Sequence, residues 1–322
     1  MKKLLIASTA LIATASVVGA DVVNGNDSAE VTFDGYGRFG LVYQDTDSTD
    51  SSSTRIEQRF RLNVSVLNTT DGGVQFGARI RFQSDDSGDD DEVGNGGVAE
   101  NSAAEFNVES GGFRLDVGNT SDVLDSGDVI DYFGNTGVGL TDFGEISSGF
   151  GLPVSGFGTG DESVAPTIKA RYAVDAFTFA ASYTTNAEDD ADEEWQIGVG
   201  YQINSNLKIG AAYGELEIDG AEDEEFAAIG LHGSAGAITY DLLIADTDRD
   251  NFDTAFGIGL GYDLSAATDL RFVVSDNGED DNDTAYSVGF RHNLGGGVTL
   301  RGGVGEDSAG DARGDLGVRF DF

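Results

Sequence analysis

The sequence predicts an all-β protein: a sixteen-stranded antiparallel transmembrane β-barrel with a long third loop folded into its lumen. Three observations carry this. Alternate residues are apolar or aromatic through sixteen segments from Glu30 to Phe322, the period of a strand with two unlike faces. The connections between segments alternate between short turns and long acidic loops. The cations inside the segments fall on the face opposite the apolar one.

Residues 1–20 read as an export signal: Lys2 and Lys3, an apolar run from Leu4 to Val18, then the small residues Gly19 and Ala20 at the cleavage positions. The run is too short to span a membrane as a helix. The mature chain is expected to begin at Asp21, so that 21–322 form the barrel and 119–165 a constriction loop within it. With no cysteine, disulfides and thiolate metal sites are excluded. The formal charge is −40, and −42 once Lys2 and Lys3 are removed, which argues against a nucleic-acid partner. High charge with low hydrophobicity can also signal disorder. Here the aromatics, 10% of the chain, lie in period and oppose that reading.

The strand pattern is plain in Val31, Phe33, Phe39, Leu41 and Tyr43, in Ile56, Phe60, Leu62 and Val64, and in Phe256, Ile258, Leu260 and Tyr262. Seven connections are turn-like: 69–73, 110–112, 174–176, 202–206, 234–237, 263–269 and 293–297. Eight are longer or acidic: 44–54, 84–102, 119–165, 186–194, 217–225, 246–254, 276–283 and 306–313. The long set holds 42 acids and the short set 4. A barrel with two different ends explains that asymmetry, with short turns on the periplasmic side and long loops outside.

Fourteen cations lie in strands: Arg38, Arg55, Arg59, Arg61, Arg79, Arg81, Arg114, Lys169, Arg171, Lys208, Arg271, Arg291, Arg301 and Arg319. All have the parity opposite to the apolar face, so the inward face is expected to be polar, arginine-bearing and glycine-rich. Facing lipid near the midplane each would cost roughly 2–4 kcal/mol, whereas facing a wet lumen costs little. Sixteen strands leave a channel rather than a filled core. The segment 119–165 lacks strand alternation throughout, and a loop of that length inside a compact fold is usually functional.

Several motifs resemble a known family. Asp315-Leu-Gly-Val-Arg-Phe-Asp-Phe322 is similar to the C-terminal strand of bacterial outer-membrane barrels, whose terminal phenylalanine is read by the assembly machinery; Phe320 and Phe322 would be that signal. Glu30-Val-Thr-Phe-Asp-Gly-Tyr-Gly-Arg38, Thr69-Thr-Asp-Gly-Gly-Val-Gln-Phe-Gly-Ala-Arg79 and Asn293-Leu-Gly-Gly-Gly-Val-Thr-Leu-Arg-Gly-Gly-Val304 resemble the trimeric general-diffusion porins of alphaproteobacteria. The resemblance implies a homotrimer in contact with outer-membrane lipid and lipopolysaccharide. It also implies a third loop that narrows the pore, its acidic edge facing wall arginines. By motif position the wall residues are Arg38, Arg59, Arg61 and Arg81, with Arg79 added on parity; the loop acids are Asp122, Asp125, Asp128, Asp131, Asp142 and Glu145. Family members tend to begin at the equivalent of Glu30. The nine further residues Asp21 to Ala29 are therefore expected to alter the terminal salt bridge that closes those barrels.

Other constellations are weaker. Asp246-Thr-Asp248-Arg-Asp250 has the spacing of a calcium loop, but Asn251 and Gly257 stand where glycine and glutamate are needed. The acid runs 85–92, 188–194 and 219–225 read as solvated loop that could attract Ca²⁺ or Mg²⁺, with no ligands assigned and no cofactor required. His232 and His292 lie beside short turns and read as surface or interfacial residues. A Ser287–His292–Asn293 lipase centre fails because Ser287 points inward and His292 outward. No catalytic residue is assigned. Tyr36 points inward as a spacer in the lumen. The expected activity is passive diffusion of small hydrophilic solutes and ions with mild cation preference. A substrate-selective channel and a plugged structural or adhesive barrel are the alternatives.

Overall fold

The computed structural model describes residues 29–45, 54–85, 98–135, 137–147, 150–154, 156–159, 165–185, 193–217 and 223–322. The signal segment, most of the additional N-terminal residues and most of the acid runs in loops 84–102, 186–194 and 217–225 lie outside them. The strands are β1 (Ala29–Gln44), β2 (Thr54–Thr69), β3 (Gln75–Asp85), β4 (Val98–Asn101), β5 (Glu105–Ser110), β6 (Phe113–Gly118), β7 (Thr167–Val174), β8 (Phe177–Thr185) and β9 (Glu193–Asn204). They continue as β10 (Leu207–Glu217), β11 (Glu224–Ala235), β12 (Ile238–Thr247), β13 (Ala255–Ser265), β14 (Thr268–Asp276), β15 (Ala285–Gly295), β16 (Val298–Glu306) and β17 (Ala312–Asp321).

Apart from β4 and β5, consecutive strands pair antiparallel, and β1 pairs with β17, so the sheet closes. Among the described residues there are seventeen segments but sixteen staves, because β4 and β5 both pair with β3. The interruption has a local cause. Ser102 takes over the ladder, its N–H donating to the Arg81 carbonyl and its Oγ accepting the Arg81 N–H, both at 2.8 Å. Ala103 and Ala104 then give their carbonyls to Asn119 at 3.1 Å, where the long loop leaves the wall. The seam is closed by backbone bonds between Gly35 and Phe322, 2.9 and 3.0 Å, and the Phe322 ring stacks on Phe60 at 5.6 Å.

The expected turns are all present. Gly111 and Gly112, at φ 59° and 84°, form the two-residue hairpin turn that needs left-handed backbone at both positions. The two faces are sorted as the parity predicts. Arg38 is 8% exposed and its neighbour Phe39 56%, the reverse of a water-soluble fold. Phe33, Leu41, Ile56, Phe76, Phe106, Ile197, Ile244 and Leu316 continue the exposed apolar face around the barrel, the lipid-facing band of a transmembrane barrel.

One expectation is corrected. The inward face is not polar throughout: Phe226, Leu243 and Val273 point inward and are buried. They belong to a hydrophobic cluster inside the lumen, made with the long loop.

Candidate functional site in the barrel lumen

The loop between β6 and β7 enters and leaves through one neck. The Asn119 side chain donates to the Gly158 carbonyl at 2.9 Å and accepts the Gly158 N–H at 3.0 Å, fastening its two limbs. Between them the chain crosses the lumen. Val123, Leu124, Val129, Ile130, Tyr132, Ile146, Phe150 and Leu152 pack on inward Ala180, Ala212, Phe226, Ala228, Leu243, Ala245, Ala255 and Val273. Glycines in the same wall let the backbone come closer. Val129 seats on Gly198, Gly200 and Gly210, Ile130 on Gly230, Ile146 on Gly257 and Gly259, and Leu140 on Gly40 and Gly317. The loop thus lies against β8–β17 and reaches β1 at its tip.

A loop inside a barrel must satisfy its own backbone groups. Wall side chains do this. Ser182 Oγ and Gln196 Oε1 accept the N–H groups of Val123 and Leu124 at 3.2 and 2.9 Å. Asp315 accepts the N–H groups of Leu140 and Thr141 at 2.7 and 2.8 Å, and Asp241 that of Asn135 at 3.0 Å. Wall cations cap the carbonyls: Lys208 those of Gly127 and Asp128, Arg271 that of Asn135, Arg291 that of Gly137 and Arg81 that of Phe157.

The predicted loop acids separate into distinct roles. Asp142 is the shared counter-charge of Arg291, Arg301 and Arg319, the last two at 3.5 and 3.9 Å. Asp128 binds Lys169 at 2.9 Å and Arg171 at 3.0 Å. Burial pushes its carboxyl up, but these two cations outweigh burial and hold it below the ordinary range. Asp131 stands 3.6 Å from His232. Burial pushes the Asp125 carboxyl up, against the pull of Lys169, Arg81 and Arg79. Burial, with repulsion from Asp142 and Asp125, pushes the Glu145 carboxyl up to about 7. Asp122 does not belong to an exposed acidic edge: it is fully buried, accepts from Gln196 at 3.0 Å and caps the Asp125 N–H at 2.7 Å.

The predicted wall arginines stand on β1–β3, and their carboxylate partners come from the wall. Arg38 pairs with Glu57 at 2.6 Å, Arg59 with Asp85 and Arg79 with Glu105 at 2.5 Å. Arg61 donates to Gln83 at 2.5 Å and Arg81 to Asn63 at 3.1 Å. Arg79 and Arg81 cover the Phe157 ring at 3.8 and 4.5 Å. Tyr36 lies between Arg61 and Arg319, 5.3 and 3.9 Å from its ring centre. A cavity of about 490 Å³ lies between the loop and the wall formed by β1–β3 and β5–β7; of the predicted wall arginines Arg79 lines it, and Arg38, Arg59, Arg61 and Arg81 do not. Arg79, Arg114, Lys169 and Arg171 line it from the wall together with Glu105 and Asp116, and Asp125 and Asp128 face them from the loop.

Residues 7–312 match the Gram-negative porin family. The chain belongs to that family. It is 30% identical to a porin of Fuscovulum blasticum over 73% of this chain and 91% of that one. It is 28% identical to a porin of Rhodobacter capsulatus over 75% of this chain and 92% of that one. A triple mutant of the Rhodopseudomonas blastica porin superposes with TM-score 0.75 at 29% identity, over 91% of this chain and all of that chain. The sixteen-stranded barrel of this porin is thus the fold of its relatives.

The motif-based residue set omitted Lys169, Arg171, Arg291, Arg301 and Arg319, the cations that hold the loop acids. Parity had already placed them inside; only the position of the loop was missing. His232 also needs correction. It is not a surface or interfacial residue but faces the lumen and binds Asp241 at 2.5 Å. Nearness to a turn misled, whereas the parity of Phe226, Ala228 and Gly230 on β11 points His232 inward.

Proposed function

We propose that this porin forms a water-filled channel of the outer membrane through which small hydrophilic solutes and ions diffuse passively. The observation that carries the reading is the division of the lumen. The loop fills the side lined by small residues, and the cavity remains on the side lined by arginines, with Asp125 and Asp128 across from Arg79. Opposite charges on facing walls set up a transverse field that aligns dipolar solutes and hinders apolar ones. The 119–165 loop is the constriction. The acidic outer loops enrich cations at the mouth, giving mild cation preference.

The remaining features fit the same reading. Export by residues 1–20 delivers a mature chain, Phe320 and Phe322 present the assembly signal, and three copies associate in lipid and lipopolysaccharide. Ca²⁺ or Mg²⁺ at the acidic loops relieves carboxylate repulsion without being required for conduction.

Planar-bilayer recording under a salt gradient tests this. The expected reversal potential has the cation-selective sign and shrinks as salt rises. An anion-selective sign would show that the arginine wall outweighs the loop acids. Absence of conductance would identify a plugged barrel, and saturable, competitive flux of one solute a substrate-selective channel.

A further inference from the structure

The loop and the wall also bring together three metal-ligating side chains that the diffusion reading does not use. His232 and Asp241 are direct cross-strand partners on β11 and β12, so the sheet register places them side by side. Asp131 comes to them from the loop. His232 Nδ1 stands 2.5 Å from Asp241 Oδ1 and 3.6 Å from Asp131 Oδ2, and one donor atom from each residue falls within 4.8 Å of the others. The second oxygen of each carboxylate is engaged elsewhere: Asp131 Oδ1 accepts the Gly134 N–H at 3.1 Å and Asp241 Oδ2 the Asn135 N–H at 3.0 Å. The remaining oxygens converge with the imidazole nitrogen.

We propose that Asp131, His232 and Asp241 form a binding site for a borderline divalent transition-metal ion such as Zn²⁺, Cu²⁺ or Ni²⁺. One imidazole nitrogen and two carboxylate oxygens suit these ions, whereas Ca²⁺ and Mg²⁺ favour all-oxygen sites. Two carboxylates supply the charge that neutralises the ion, and one of them, Asp241, is 1% exposed, where an unbalanced negative charge is costly. Asp131 and His232 remain partly open to the lumen, which leaves access for the ion and coordination positions for water. Lys208, the cross-strand neighbour of His232, is engaged by the carbonyls of Gly127 and Asp128 at 3.0 Å. A bound ion would replace the His232–Asp241 hydrogen bond and fasten the loop to β11 and β12.

The chain has only two histidines, so a metal–nitrogen signature from an imidazole has two possible sources. Folded, untagged protein is loaded with one equivalent of Cu²⁺ and read by electron paramagnetic resonance for nitrogen coupling. The coupling is expected in the unmodified chain and in His292→Gln, and lost in His232→Gln. Calorimetry with Zn²⁺ should show one site per chain, weakened roughly 10–100-fold or more in His232→Gln and in Asp131→Asn. Nitrogen coupling that is absent from the unmodified chain, or that disappears in His292→Gln, overturns the proposal. So does Zn²⁺ binding unchanged in Asp131→Asn. Should His232→Gln fail to fold, the unmodified chain, His292→Gln and Asp131→Asn still decide. These measurements read binding rather than conduction, so their failure leaves the channel reading intact.

Discussion

Gly210 on β10 lies directly beneath Val129 of the loop, so close that a Cβ there would fall 1.9 Å from the Val129 carbonyl oxygen. That contact is with backbone, which cannot rotate away. Gly210→Val should therefore lift this part of the loop off the wall, at a cost of about 1–3 kcal/mol or more for overpacking. The expected result is a changed single-channel conductance and faster proteolysis within 119–165, with the barrel intact by circular dichroism. Gly72→Ala, in a turn with room for the methyl group, should leave both measurements unchanged.

Asp142 joins three arginines of β15, β16 and β17 to the loop. Asp142→Asn removes the shared counter-charge and leaves those arginines more positive toward the lumen. Breaking a buried ion pair costs about 3–5 kcal/mol, and the wet lumen should reduce this by screening. The reversal potential should move toward anion selectivity, most clearly at low salt. An unchanged potential would place Asp142 away from the conducting path.

The barrel was legible because strand parity is a strict physical code: lipid accepts Phe39 and rejects Arg38, so each stave announces its two faces. The turns were legible for similar local reasons, as at Gly111 and Gly112. The loop's path was not, since it depends on contacts distant in sequence. Yet the wall carries its imprint. Gly198, Gly200, Gly210, Gly230, Gly257 and Gly259 share inward parity and leave the space into which Val129, Ile130 and Ile146 fit. Read together with inward Phe226 and Leu243, they mark the covered side, while Arg79, Arg114 and Arg171 line the open one. Motif position pointed to Arg38, Arg59, Arg61 and Arg81, but among the predicted wall residues only Arg79, placed by parity, lines the cavity, and motif position passed over Arg291, Arg301 and Arg319, which hold the loop. Loop acids spaced three apart, Asp122, Asp125, Asp128 and Asp131, looked equivalent in sequence but are buried, cavity-facing, cation-paired and histidine-paired in turn.

Arg59 and Arg61 stand on adjacent inward positions of β2, paired with Asp85 and Gln83. Replacing both with glutamine removes two positive charges and shortens the side chains beside Tyr36. Conductance should rise, or selectivity should shift further toward cations. Measurement in the same salt gradient used for the unmodified channel decides; no change in either quantity would remove these residues from the constriction.

Glu145 gives the lumen a pH response near neutrality, because burial and the neighbouring Asp142 and Asp125 push its carboxyl up to about 7. A glutamate released from this environment ionises at an ordinary pKa of about 4.3. The seated loop therefore binds the proton more tightly than the released loop. Its stabilisation is complete below the ordinary glutamate range and is lost as pH rises through about 7. In the seated loop the same rise adds one negative charge per chain beside Asp142. Cation selectivity should increase over roughly one pH unit either side of that midpoint, and loop protection from proteolysis should fall over the window from the ordinary glutamate range upward. Glu145→Gln should flatten both responses near neutrality. A selectivity step of the same size in Glu145→Gln would assign the response to another group.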